Sequence, residues 1–84
     1  MANTKQTPKV KIYSTPTCHF CVLAKEFLRQ NKIAYEDIDV SESYEAVEEM
    51  MKKSGQSGVP QIEVNGKIII GFNKEALKKE LNIK

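Results

Sequence analysis

Eighty-four residues with a net charge of +2 leave room for one domain, and the thirteen basic side chains are interleaved with eleven acidic ones. That pattern excludes the basic block of a nucleic-acid-binding surface, and no apolar run approaches the ~20 residues of a membrane span. Met1 to Pro8 is polar and lacks the apolar stretch of a secretion signal. The expectation is a cytoplasmic, monomeric chain with no nucleic-acid or membrane partner, its first eight residues a flexible lead-in and residues 9–84 a single domain.

Lys9-Val10-Lys11-Ile12-Tyr13-Ser14 alternates and is rich in β-formers, which predicts a first strand with Val10 and Ile12 on its buried face. Thr15-Pro16-Thr17 is a short loop in which Thr17 is the expected helix N-cap. From Cys18 the apolar positions Phe20, Leu23, Ala24, Phe27 and Leu28 follow a helical period until Asn31-Lys32. Ile33 to Val40 reads as a second strand, and a strand–helix–strand unit of this size implies a parallel pair. A second helix is expected over Ser41 to Ser54, with Val47, Met50 and Met51 inward and Glu42 and Glu45 in its first turns. Lys52 and Lys53 lie in its last turn, and Gly55 is the C-cap. Gln61 to Val64, Asn65-Gly66 and Lys67 to Ile70 form a hairpin signal with a type I′ turn. After Gly71-Phe72, Asn73 is placed to cap a last helix carrying Ala76, Leu77 and Leu81, with Glu75 and Lys79 as an i,i+4 pair. The order is β-α-β-α-β-β-α, an α/β class.

Only two cysteines are present, three apart in Thr17-Cys18-His19-Phe20-Cys21, where a strand gives way to a helix. Residues i and i+3 of a helix have Cβ atoms about 5–6 Å apart, and a disulfide needs roughly 3.5–4.5 Å, so a small adjustment links them. A bond closing so short a loop removes little chain entropy and is a poor structural staple. It reads as chemistry. Unpaired N–H groups and the helix dipole surround the first thiol, and thiols in such surroundings have pKa values lowered from about 8.5 to roughly 3.5–7.5. Cys18 is therefore the expected attacking thiol and Cys21 the resolving one. A structural zinc site needs four ligands, and the only other Cys/His ligand is His19, so no tightly bound metal is expected. The three tyrosines, Tyr13, Tyr35 and Tyr44, read as packing or surface aromatics.

The Cys-x-x-Cys after the first strand, the element order, and Gly58-Val59-Pro60 just before the hairpin together closely resemble a glutaredoxin, the smallest form of the thioredoxin fold. The likeness runs from Val10 to Leu81. It implies a four-stranded mixed sheet flanked by three helices, and thiol–disulfide oxidoreductase activity. It also implies a cis Val59–Pro60 bond that leaves the Val59 backbone free to pair with an extended thiol substrate. Glutathione is the implied co-substrate, and disulfide-containing or glutathionylated proteins are the implied partners. The implied binding positions are Thr15, Gln56, Gly58, Val59, Pro60, Gly71, Phe72 and Asn73.

Several of these positions depart from the family pattern. His19-Phe20 replaces the usual Pro-Tyr, Gly58 takes a place often held by Thr, and Thr15 stands where a basic residue helps hold a glutathione carboxylate. Asn73-Lys74 replaces acidic residues, while Gly71-Phe72 is similar to the Gly-Phe of the glutaredoxin-like electron donors of ribonucleotide reductase, which take electrons from thioredoxin reductase. His19 and Phe20 are expected to modulate the dithiol. A protonated His19 makes the disulfide more oxidising, toward the less reducing end of the range of about −200 to −230 mV for glutaredoxins against about −270 mV for thioredoxin. Three alternatives remain open: a glutathione-independent donor, an iron–sulfur cluster bridged between two chains, and a non-catalytic binding module using the groove at Val59 and Phe72.

Overall fold

A computed structural model describes residues 9–83; the lead-in expected over Met1 to Pro8 lies outside the described residues. The elements are β1 (Val10–Ser14), α1 (His19–Gln30), β2 (Glu36–Asp39), α2 (Tyr44–Ser54), β3 (Gln61–Val64), β4 (Lys67–Ile70) and α3 (Lys74–Leu81), in the expected order. The four strands lie in the order β2-β1-β3-β4. β1 runs parallel to β2 and antiparallel to β3, and β3 runs antiparallel to β4, so the sheet is mixed.

The burial of β1 goes beyond the single apolar face expected for it. Val10 and Ile12 join Ala24, Phe27 and Leu28 of α1, Ile62 and Val64 of β3, Ile69 of β4 and Leu77 of α3 in one core cluster. Tyr13, on the opposite face, joins Val40, Ala46 and Met50 in a second cluster beneath α2, with Val59 packed against it. Covering both faces of a central strand leaves no solvent side, and Ser14 is buried as well. The Tyr13 hydroxyl accepts a 3.1 Å hydrogen bond from Lys53 Nζ, whose ammonium also meets Glu63 at 2.7 Å and Glu49 at 3.0 Å. Hydrogen bonds to Glu63 and Tyr13 hold the Lys53 pKa above the usual lysine range. Tyr35 packs at the edge of the first cluster and Tyr44 is exposed, so all three tyrosines are packing or surface residues.

Several local expectations need correction. The N-cap of α1 is Cys18 and not Thr17. Phe20 and Leu23 lie on the solvent side of α1, and Cys21 takes the buried place one turn before Ala24 and Leu28. β2 spans only Glu36–Asp39, because its ladder extends no further than Lys11–Ser14 of β1. α2 begins at Tyr44, leaving Glu42 outside it: the Asp39 carboxylate accepts the Ser41 N–H at 2.9 Å and its hydroxyl at 2.6 Å, a turn that delays the helix until Ser43 caps it. Met51 is 44% exposed, and Ala46 faces inward with Met50. On α3 the ion pair joins Glu80 to Lys67 of β4, in place of the expected Glu75–Lys79 pair. The hairpin turn has Asn65 at φ 50° and Gly66 at φ 91°, as a type I′ turn requires, and Gly55 ends α2 at φ 76°.

The Met50–Met51 pair gives a direct test of this packing. Met50→Ala is expected to lower the unfolding free energy by about 2–5 kcal/mol, whereas Met51→Ala should stay within about 0.5 kcal/mol of the parent. Urea titrations with an unchanged slope check both; equal losses would contradict the packing of α2.

Candidate active site

The site begins where β1 ends. Buried Ser14 closes the strand, and the loop Thr15-Pro16-Thr17 turns the chain so that the Cys18 N–H donates to the Thr15 carbonyl at 3.3 Å. Cys18 keeps extended backbone angles, φ −88° and ψ 114°, and its Sγ accepts the backbone N–H of Cys21 at 3.1 Å. A thiol sulfur thus fills the role usually taken by a Ser or Asp oxygen, satisfying one of the orphan donors of the helix.

Across from it, the Val59–Pro60 peptide bond is cis, and the Val59 carbonyl accepts the Cys18 thiol at 3.9 Å. Pro60 is buried, and its carbonyl accepts the Gly71 N–H at 2.8 Å, which ties the loop to the end of the hairpin. Gln56 and Gly58 are exposed, and their carbonyls accept hydrogen bonds from the side chain of Gln61. Asn73 uses its side-chain oxygen to cap α3, accepting the Ala76 N–H at 3.1 Å. Phe72 is half-buried, edge-on to Phe27 with ring centroids 6.0 Å apart, and borders a groove of about 320 Å³ shared with Leu23, Glu26, Gln30 and Lys74. His19 and Phe20 are exposed and stack edge to face at 5.7 Å.

The two thiols stand in different environments. Cys18 is partly exposed and Cys21 is wholly buried. Burial first, then the hydrogen bond and the charge of Cys18, push the Cys21 thiol up to about 12. A hydrogen bond from the Thr15 backbone and the positive charge of Lys25 pull it the other way. Lys25 lies one turn beyond Cys21 on α1 and bonds Asp37 of β2 at 2.7 Å; the other Asp37 oxygen accepts the Ser14 hydroxyl at 2.7 Å. Burial works against the Asp37 carboxylate, but the hydrogen bonds from Lys25 and Ser14 outweigh it and hold its pKa below the usual range. The same hydrogen bond raises the pKa of Lys25.

The fold therefore gathers Thr15, Cys18, Cys21, Val59 and Pro60 into contact, links Gly71 to Pro60, and leaves His19 and Phe20 facing outward. Lys25, Asp37, Ser14 and Gln61 were not among the expected site residues. Of these only Lys25 carried a signal in the sequence, its i,i+4 spacing from Cys21. Among the described residues, no group of three or more His, Cys, Asp or Glu side chains is arranged to hold a metal ion.

A mixed sheet with a Cys-x-x-Cys at the start of its first helix, facing a cis-proline loop, defines a thioredoxin-fold dithiol protein. The glutaredoxin family model matches residues 10–69, and the chain belongs to the glutaredoxin family of thiol–disulfide oxidoreductases. It is 47% identical over 70 residues to an uncharacterized glutaredoxin-like 8.6 kDa protein in the rubredoxin operon of Clostridium pasteurianum, covering 83% of this chain and 93% of that one. To glutaredoxin 3 of Escherichia coli K12 it is 34% identical over 62 residues, 74% of this chain and 75% of the other. Among solved structures, the thioredoxin-like protein BC3987 superposes with a TM-score of 0.82 at 33% identity, over 87% of this chain and 100% of that one.

The asymmetry of the two thiols has a measurable consequence. Iodoacetamide at about pH 7.5 is expected to label Cys18 of the reduced protein and to spare Cys21, read as one carbamidomethyl group by peptide mass spectrometry. Equal labelling of both would mean that Cys21 is neither buried nor held protonated.

Proposed function

We propose that this protein reduces protein disulfides and glutathione mixed disulfides by dithiol exchange, with Cys18 as the nucleophile and Cys21 as the resolving thiol. The observation that carries this reading is the position of Cys18 Sγ, which caps α1 at 3.1 Å and meets the Val59 carbonyl at 3.9 Å. A substrate disulfide laid along Val59 presents one sulfur to that thiol, with main-chain pairing that ignores side-chain identity.

The Cys18 thiolate attacks one sulfur of the substrate disulfide; a Cys18–substrate bond forms, the substrate S–S bond breaks, and the departing thiolate takes up a proton. Cys21 then loses its proton and attacks Cys18 Sγ, forming the Cys18–Cys21 disulfide and releasing the second substrate thiol. Two protein thiols are oxidised and one substrate disulfide is reduced. Two molecules of glutathione, or a dithiol reductase, return the protein to its reduced form.

The electrostatics order these steps. While Cys18 is a thiolate, its hydrogen bond and negative charge help hold the proton on Cys21. Once Cys18 is bound in the mixed disulfide both influences vanish, and only burial opposes the Thr15 N–H and Lys25. The resolving thiol is thus released for ionisation when it is needed.

Glutathione is the proposed co-substrate, held through Val59, Pro60, Gln56, Gly58, Gly71, Phe72 and Asn73. The site lacks a cation at Thr15, and Lys74 stands beside Asn73 as the nearest basic residue in sequence. The Gly71-Phe72 pair favours a second reading, a donor recycled by thioredoxin reductase. In either case His19, exposed at the first position of α1, is proposed to make the disulfide more oxidising.

NADPH consumption with a small disulfide, coupled to glutathione and glutathione reductase or to thioredoxin reductase, separates these readings. Turnover in the first system supports glutathione as reductant, turnover only in the second supports the donor reading, and Cys18→Ser should abolish both. Activity retained by Cys18→Ser would sink the dithiol mechanism. Lys25→Met removes the positive charge that lowers the Cys21 pKa and leaves Asp37 with the Ser14 hydroxyl but no cation, so resolution of a preformed Cys18–glutathione mixed disulfide should slow at neutral pH. Each unit of further upward shift costs about tenfold in thiolate, and the pH–rate profile should move to higher pH. An unmoved profile would remove Lys25 from the mechanism.

A further inference from the structure

Gln61 opens β3 and is completely buried. Its backbone pairs with Tyr13 on one side and Ile70 on the other, so the sheet makes no use of its side-chain amide. That amide turns back along the chain. Nε2 donates to the Gln56 carbonyl at 3.0 Å and to the Gly58 carbonyl at 2.8 Å, while Oε1 is buried with no partner among the described residues. Rotating the amide would set Oε1 against two carbonyl oxygens, so the donor arrangement is dictated by the inventory of the group. A buried polar side chain with one half unsatisfied is disfavoured, and an apolar chain of the same length would avoid that cost. The half that is satisfied is aimed wholly at the loop.

The loop has few other ties. The Ser54 hydroxyl bonds the Gln56 carbonyl and amide at 3.1 Å, and the Gly71 N–H holds the Pro60 carbonyl at 2.8 Å. Between those points the Gln61 amide is the only hydrogen-bonding group found on the Gly58 carbonyl among the described residues, one residue before Val59. If the amide is removed the Gln56 carbonyl keeps the Ser54 hydroxyl, and Gly58 is an exposed residue within reach of water. The loop then loosens without stranding buried groups.

We propose that Gln61 is a positioning residue for substrate: its amide fixes the backbone of Gln56 to Gly58, and with it the place of Val59 above Cys18 where an extended thiol substrate pairs. This rests on the reading of Val59 as the substrate-pairing residue.

Gln61→Met tests it, because Met has the same length, no donors and no lone acceptor. The backbone 15N order parameters of Gly58 and Val59, measured by NMR relaxation, are expected to fall from about 0.85 toward about 0.6 while those of β1, β3 and β4 are unchanged. KM for a glutathionylated peptide should rise about tenfold, kcat should stay within about twofold, and alkylation of Cys18 should be unchanged. Wild-type order parameters at Gly58 and Val59, or an unmoved KM beside lowered ones, overturns the proposal. If the wild type turns over in neither reducing system, the functional reading fails, and the order parameters alone decide whether Gln61 positions the loop. Should Gln61→Met not fold, Gln61→Asn takes its place with the same readouts, since its amide is polar but one methylene too short to reach.

Discussion

The contact on which the site depends is the 3.1 Å hydrogen bond from the Cys21 backbone N–H to Cys18 Sγ. It starts α1, since the sulfur is the N-cap, and it fixes the proposed nucleophile against the helix that carries its partner thiol. The spacing of three residues that suits a disulfide is the same spacing that lets a cap residue reach a helical N–H. Local helix geometry and redox geometry are therefore one requirement here, and a substitution at Cys18 disturbs both.

Around that contact the protein separates the two thiols by environment. Cys18 stays at the surface end of the helix, while Cys21 turns into the core and is held protonated by burial and by Cys18 itself. Ser14, Asp37 and Lys25 link β1, β2 and α1 behind the buried thiol, and bring a positive charge close enough to oppose the effect of burial. In the proposed exchange this makes the second step conditional on the first.

The far wall of the site is a short loop held from three directions. Gly71 ties it to the hairpin, Ser54 ties it to the end of α2, and Gln61 reaches it from beneath. Val59 also packs against the cluster of Tyr13, Val40, Ala46 and Met50, so the second core supports the loop from inside. Lys53 adds to this support by bonding Tyr13 of β1, Glu49 of α2 and Glu63 of β3 together. The site thus draws on both faces of the sheet.

Much of this was legible in the residues. The Asn65-Gly66 turn, the Gly55 and Asn73 caps, and the Cys18–Cys21 spacing each state a local backbone preference, and local preferences are encoded within a few positions. Where two local signals competed, tertiary context or neighbouring side chains decided. Thr17 is a good cap by composition, yet Cys18 takes the position because its sulfur faces the helix amide. The apolar Phe20, Leu23 and Met51 fit a helical period but lie beyond the faces that the sheet covers. By itself the sequence determined the order of elements, the turns and the dithiol motif, because these rest on spacings of two to four residues. Only the tertiary structure decided which thiol is buried, which lysine stands behind it and which glutamine holds the loop. Those depend on the apposition of strands and helices distant in the chain, and no periodicity records it.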